Sequence, residues 1–237
     1  TAGRWAEVLC RRRNITTVFS SQFSRARAIS RGMNPANCRV ILPGVSALPS
    51  RDRAAMRREL GLSDDYFAVL APGESTRCAR HSLALWTLSI LHETDARWRM
   101  LVWGKGPLRG ELCRLAARLK HPELLHTALK MKFEDVLPAA DAAMITATGG
   151  AAILPVAMTM AAGLAIVATP REALADRRNA LVIAGDSPRA AAQALLELRG
   201  DATLRSRLGD QAKVDAVERF SMERFIEEHR KIYSELM

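Results

Sequence analysis

Residues 146–169 read TATGGAAILPVAMTMAAGLAIVAT, and how this apolar, glycine-marked run is read decides the fold. From Ala151 to Ala168 the only hydroxyl is Thr159, so the run is nearly long enough for a helix that crosses a bilayer. Pro155 and Gly163 interrupt it, and beyond Gly163 the composition shifts to Leu164-Ala165-Ile166-Val167, a short β-type segment. Gly163 suits the position just past a helix end, where positive φ costs glycine little. The run therefore reads as a buried helix from about Leu154 to Ala162, a tight turn, and a parallel strand covered on both faces. A membrane anchor is the competing reading.

Working outward, the sequence from Tyr66 alternates short apolar runs with amphipathic ones. This is the signature of βα units, and it predicts an α/β fold with a parallel sheet and helices on both faces. The predicted strands are 66–71 (YFAVLA), 98–103 (WRMLVW), 123–127, 142–146 (AAMIT), 164–168 (LAIVA) and 180–184 (ALVIA). Between them, Leu83, Trp86, Leu88 and Leu91 recur near helical spacing, as do Leu112, Leu115, Ala116 and Leu119 behind Pro107, which is read as the first helical residue. Ser187 before Pro188 reads as an N-cap with proline at N1. The first part differs: strand 15–20, helix QFSRARAISRG closed by Gly32, and strand 38–42, like the tail of another unit. The end, FSMERFIEEHRKIYSELM, predicts a helix capped by Ser221 with an apolar stripe of Phe225, Ile226 and Tyr233.

A chain of 237 residues, almost half of them hydrophobic, can build one large α/β domain or one domain plus pieces of another. It begins at Thr1 and shows none of the zones of a signal peptide, which leads to the expectation of a fragment or processed product resident in the cytoplasm. Cys10, Cys38, Cys78 and Cys113 are widely spaced, with no C-x-x-C pair and no histidine pair at metal-ligand spacing, so reduced thiols and no metal are expected. His92, His121 and His126 read as surface or packing residues rather than as a base. The net charge of +10 invites a polynucleotide partner, but the positive residues are scattered arginines, and only two tyrosines are present. Nucleic acid is therefore disfavoured, and basic helix faces around a small anionic ligand account for the charge equally well.

Three loops carry candidate chemistry. Gly104-Lys105-Gly106-Pro107 follows a strand and opens a helix, with spacing one residue too long for a dinucleotide fingerprint. It is either a tight turn or a backbone loop that approaches a nucleotide. Gly73 to His81 lies just beyond strand 66–71, where Arg77 and Arg80 are placed to clamp a diphosphate, unless the loop is merely solvated with an ordinary helix start at His81-Ser82. Thr148-Gly149-Gly150 also follows a strand, and its amides suit an anion or sugar hydroxyls, although a loop needing positive φ would use the same glycines.

Together these segments resemble the donor-binding half of family 4 glycosyltransferases, retaining group 1 enzymes of GT-B fold. The resemblance rests on VFSSQFSRARAISRGMNPANCRVILPGVS, on GKGPL, on LPAADAAMITA, on AMTMAAGLAIVAT and on the closing GDQAKVDAVERFSMERFIEEHRKIYSEL. It implies a Rossmann-like nucleotide-sugar domain over 49–219, preceded by the end of an acceptor-side domain and linker over 1–48. A last helix, 220–237, crosses back to that first domain. By resemblance the donor contacts fall on Gly73, Arg77, Arg80, Gly104, Lys105, Gly106, Gly149, Gly150, Ala151, Leu154 and Met158. The family's two glutamates, spaced E-x7-E, fall on Gly150 and Met158, so both carboxylates are absent and the catalytic residue is open. Glu74 stands where the family has arginine after Gly73, and Asn179-Ala180 replaces its N-G.

The resemblance implies transfer of a sugar from a nucleotide-diphosphate sugar to an acceptor glycan, lipid or small molecule, of hexosyltransferase type and with retention. No cofactor or metal is implied. A missing acceptor domain is expected to complete the site, in the cytoplasm, with room for peripheral contact at the inner face of the membrane. The alternative is a catalytically degenerate relative that binds nucleotide sugar or serves assembly.

Overall fold

The computed structural model describes Cys10 and residues 15–103, 105–150 and 153–236. Its centre is a six-stranded, all-parallel sheet: β3 (Phe67–Ala71), β4 (Trp98–Val102), β5 (Leu125–Thr127), β6 (Ala142–Ile145), β7 (Ile166–Ala168) and β8 (Leu181–Val182), in the order β5-β4-β3-β6-β7-β8. Every residue of β3, β4, β6 and β7 is buried, which is why these segments read as continuous apolar runs rather than as alternation. Side chains still alternate between two cores. Phe67, Val69 and Ala71 face one, with Leu85 and Leu88 of α3 (His81–His92), Leu112 of α4 (Arg109–Arg118) and Leu195 of α7 (Pro188–Gly200). Ala68 and Leu70 face the other, with Val136 of the short α5 (Phe133–Val136), Met160 of α6 (Ile153–Ala161) and Ala216 of α8 (Ala202–Phe220).

Counted from β3, the strand order is the 3-2-1-4-5-6 of a doubly wound Rossmann-like sheet. The chain winds outward to β5 and returns to β6 on the other side of β3, so the topological switch point lies between β3 and β6.

The strand predictions hold with shorter bounds. Pro122 opens a 3-10 turn over Pro122–Leu124, so the strand expected at 123–127 starts at Leu125. The apolar run of the opening quotation is a nine-residue helix that ends before Gly163 (φ +70°) and feeds β7. No helix among the described residues is long and apolar enough to cross a membrane, which removes the anchor reading. Ser187 caps α7 by accepting from the Ala190 N–H at 3.2 Å, with Pro188 as its first residue. Trp86, expected on the apolar face of α3, is exposed.

The first unit pairs β1 (Thr17–Phe19) with β2 (Cys38–Val40) in parallel, joined by α1 (Gln22–Ser30). Between this unit and the large sheet lies a helix the sequence reading did not foresee, α2 (Arg53–Glu59), capped by Asp52. The closing helix α9 (Met222–Leu236) starts where the Val45 N–H donates to the Phe220 carbonyl at 2.7 Å. The Arg224 N–H donates to the Ser221 hydroxyl at 3.3 Å, and the Arg224 guanidinium reaches the Leu42 carbonyl at 3.4 Å. A Cβ on Gly44 would stand 2.9 Å from both Met222 and Phe225, so the chain there approaches α9 as closely as glycine allows. Of the expected stripe only Phe225 is used this way, because Ile226 and Tyr233 are exposed. None of the four cysteines forms a disulfide.

Candidate functional site

The loops after β3 and β4 are bound to each other through their backbones. The Ser75 N–H donates to the Lys105 carbonyl at 2.6 Å, and the Leu108 N–H donates to the Ser75 carbonyl at 2.9 Å. Gly106 (φ +112°) makes this possible, since a Cβ there would stand 2.6 Å from the Ser75 nitrogen and oxygen. Leu108 is the N-cap of α4, which begins at Arg109. Pro107 lies in the preceding turn, not at the first helical position expected for it.

The loops after β3 and β6 meet across the switch point. The Thr148 N–H donates to the Cys78 carbonyl at 2.8 Å, and the Thr146 hydroxyl donates to the Ala79 carbonyl at 2.8 Å, with the Arg80 carbonyl at 3.0 Å. This pins Arg80, which caps α3 in the left-handed region (φ 55°). Its guanidinium donates to Asp186 at 2.6 Å, and this hydrogen bond raises the pKa of Arg80 and lowers that of Asp186. Arg77 is exposed and makes no hydrogen bond or ion pair among the described residues. Both arginines line a cavity of about 300 Å³ between this loop and α4, together with Ser75 and His81.

His81 is more than an ordinary helix start. Its Nε2 lies 3.3 Å from the Pro72 carbonyl, which can only accept, so Nδ1 accepts from the Ser75 hydroxyl at 3.2 Å. Burial pushes its pKa below the ordinary 6.5, which keeps the ring neutral and Ser75 fixed at the base of the cavity.

Gly149 (φ +66°) and Gly150 form the turn after β6, pressed against the start of α1. A Cβ on Gly149 would stand 2.7 Å from the Phe23 ring, and one on Gly150 would overlap the hydroxyls of Ser21 and Ser24. A side chain at residue 150 would require the Ser21 and Ser24 hydroxyls to turn aside. The two glycines line a second cavity of about 160 Å³ with Ser21, Phe23, Arg171 and Glu172. The Arg171 guanidinium donates to the Gly149 carbonyl at 3.3 Å, and burial lowers its pKa. Glu172 accepts from the Gln22 N–H at 3.0 Å. Sequence reasoning missed both residues, although they stand just past the end of β7, at the same edge of the sheet as the loops it did select.

The remaining predicted residues are dispersed. Leu154 and Met158 line a third cavity of about 230 Å³ with residues 44–49 and Glu134. The Lys105 ammonium lies 4.6 Å over the Trp103 ring. Gly73 is buried with φ +92° at the exit of β3. Gly104 and Ala151 lie outside the described residues. The structure thus joins the backbones of the three loops but divides the named side chains among three cavities. As chemistry, the switch-point edge offers backbone amides and guanidinium groups suited to an anion, with Glu172 as the carboxylate of the glycine-lined cavity.

A family profile described as glycosyl transferases group 1 matches residues 70–201. No curated protein matches the chain at significant sequence similarity. Among solved structures, the chain is similar to HepE of Anabaena in complex with UDP and glucose, with a TM-score of 0.86 at 17% identity, covering 98% of this chain and 66% of that one. A glycosyltransferase of Rickettsia africae follows at 0.78 and 15% identity, covering 97% and 66%. A sucrose-phosphate synthase of Thermosynechococcus elongatus gives 0.76 at 18% identity, covering 92% and 57%. The chain therefore spans just under two thirds of the length of the first two.

Proposed function

Because the chain belongs to the group 1 glycosyl transferases, we propose that it carries the donor half of an enzyme that transfers a sugar from a nucleotide-diphosphate sugar to an acceptor. The observation that carries this reading is the hydrogen-bonded convergence of loops 73–80, 105–108 and 146–150 on the switch point, where doubly wound sheets bind nucleotides. Nucleotide complexes of a neighbour with this fold, HepE with UDP and with UDP-glucose, support it. Transfer breaks the bond between the anomeric carbon and the β-phosphate oxygen and leaves negative charge on the diphosphate. Arg77, whose charge is not committed elsewhere among the described residues, and the amides of Gly149 and Gly150 meet that charge. Arg80 contributes less, since Asp186 already offsets it. No metal is invoked for this step.

In the same proposal, transfer proceeds with retention. Residues 1–48 belong to an acceptor-side domain and linker, 49–219 form the donor domain, and 220–237 return to the first. The contacts of α9 with Leu42 and Gly44 support that return. The acceptor is met in the cytoplasm or at the inner face of a membrane. A second reading is favoured by one observation: residue 150 is a glycine whose Cβ position is taken by the Ser21 and Ser24 hydroxyls, so no carboxylate is offered there. On it, the chain binds nucleotide sugar without turnover.

Calorimetric titration with UDP, GDP, ADP and their sugar conjugates tests the proposal. Micromolar to low-millimolar binding of one nucleotide is expected, weakened roughly tenfold or more in an Arg77→Ala, Arg80→Ala double variant, as fits loss of charge-assisted hydrogen bonds. Absence of binding to every nucleotide would sink the donor-site reading. Binding without sugar transfer by the full-length protein would select the second one.

A further inference from the structure

At the opposite edge of the sheet from the donor loops, three side chains from distant parts of the chain converge. His92 ends α3, His121 follows α4, and Glu123 lies in the 3-10 turn before β5. One ligand atom from each of His92, His121 and Glu123 lies within 4.8 Å of the others, and Glu123 Oε1 stands 3.0 Å from His92 Nε2 and 3.4 Å from His121 Nδ1.

The remaining ring nitrogens are engaged outside this trio. His92 Nδ1 lies 3.3 Å from the Trp98 carbonyl, an obligate acceptor, so Nδ1 carries the hydrogen and Nε2 turns its lone pair toward Glu123. His121 Nε2 lies 2.7 Å from a Glu93 oxygen, which likewise leaves Nδ1 to face Glu123. Each ring thus has an outer hydrogen-bond acceptor that sets its tautomer and an inner nitrogen aimed at a shared point, which is how proteins orient imidazole ligands to a metal. The two rings meet edge to face at a centroid distance of 4.8 Å.

The geometry points to a divalent transition-metal site of the zinc class, with His92, His121 and Glu123 as ligands and Glu93 and the Trp98 carbonyl as orienting partners. A tetrahedral ion at about 2.0–2.1 Å from each donor holds its ligands about 3.4 Å apart, so the 3.4 Å pair already fits, the 3.0 Å pair opens slightly, and the histidine donors close from a separation of at most 4.8 Å. Two imidazole nitrogens and one carboxylate favour zinc over calcium or magnesium, which prefer oxygen alone. His92 is buried while Glu123 is half exposed, which leaves a fourth position toward solvent. The site ties the end of α3 to the connection between α4 and β5, remote from the donor loops. It is a structural clip and has no part in sugar transfer.

The test uses the whole chain, stripped with a chelator and titrated with Zn²⁺ in competition with a chromogenic chelator, while Co²⁺ reports geometry through its visible absorption. One-to-one binding and a tetrahedral cobalt spectrum are expected. His121→Ala and Glu123→Gln should each weaken binding by more than about 100-fold, and Glu93→Gln by about 10- to 100-fold. Both ligand variants lie at partly exposed positions, and circular dichroism checks that they remain folded. Absence of one-to-one binding, or equal binding by the folded Glu123→Gln variant and the parent, overturns the site and leaves a histidine–glutamate ion-pair cluster.

Discussion

Gly106→Ala is expected to lower the unfolding free energy by more than about 1–3 kcal/mol and to weaken nucleotide binding with it. Two costs act together. The backbone at φ +112° is one that side chains rarely adopt, and the new methyl would stand 2.6 Å from the Ser75 nitrogen and oxygen. Relief requires parting the two loops, which breaks the hydrogen bonds from the Ser75 N–H to Lys105 and from the Leu108 N–H to Ser75. Gly61→Ala is the control, since Gly61 also has positive φ (+67°) but would meet nothing within 4 Å. It carries backbone strain alone. Urea denaturation of both variants separates strain from loop contact, and an equal loss in the two would show that the clamp between the loops is not needed.

Arg57→Ala is expected to cost about 3–5 kcal/mol, the range for breaking a buried ion pair. Arg57 is 2% exposed, although it sits in an arginine-rich helix. One arm donates to the Ala139 carbonyl at 2.9 Å and Asp141 at 3.2 Å, and the other donates to the carbonyls of Ser63 and Tyr66 at 2.6 and 2.7 Å. Truncation strands these acceptors in the interior and cuts α2 from the connection into β6. Arg53, also paired with Asp141 but half exposed, is the comparison, and Arg53→Ala should cost no more than about 1 kcal/mol. Chemical denaturation midpoints decide between them. A loss at Arg57 as small as that at Arg53 would mean the buried arginine holds nothing together.

What the sequence revealed follows from what each segment must bury. Strands such as Phe67–Ala71 and Ala142–Ile145 are covered on both faces, so they announce themselves as unbroken apolar runs. Ser187 and Ser221 were legible because a cap is a local bargain between a hydroxyl and an N–H three residues on. Helix α2 was not, because its buried residue is an arginine whose partners lie up to 84 residues away. The candidate site divides in the same way. Gly106 was singled out by the spacing of its turn and Gly149 by a loop that suits positive φ, which both adopt, whereas the pairing of Arg80 with Asp186, 106 residues apart, cannot be read from either neighbourhood. The absence of a carboxylate at residue 150 was visible in the sequence. That the Ser21 and Ser24 hydroxyls lie against Gly150 is a fact of packing.

The central claim, that nucleotide binds where the loops after β3, β4 and β6 converge, is tested most directly by amide hydrogen exchange with and without a saturating nucleoside diphosphate. The account predicts added protection at residues 73–80, 105–108 and 146–150, and no change around Trp98 and His121 at the other edge of the sheet. Protection confined to any other surface, or none at a concentration where binding is measured, would contradict it.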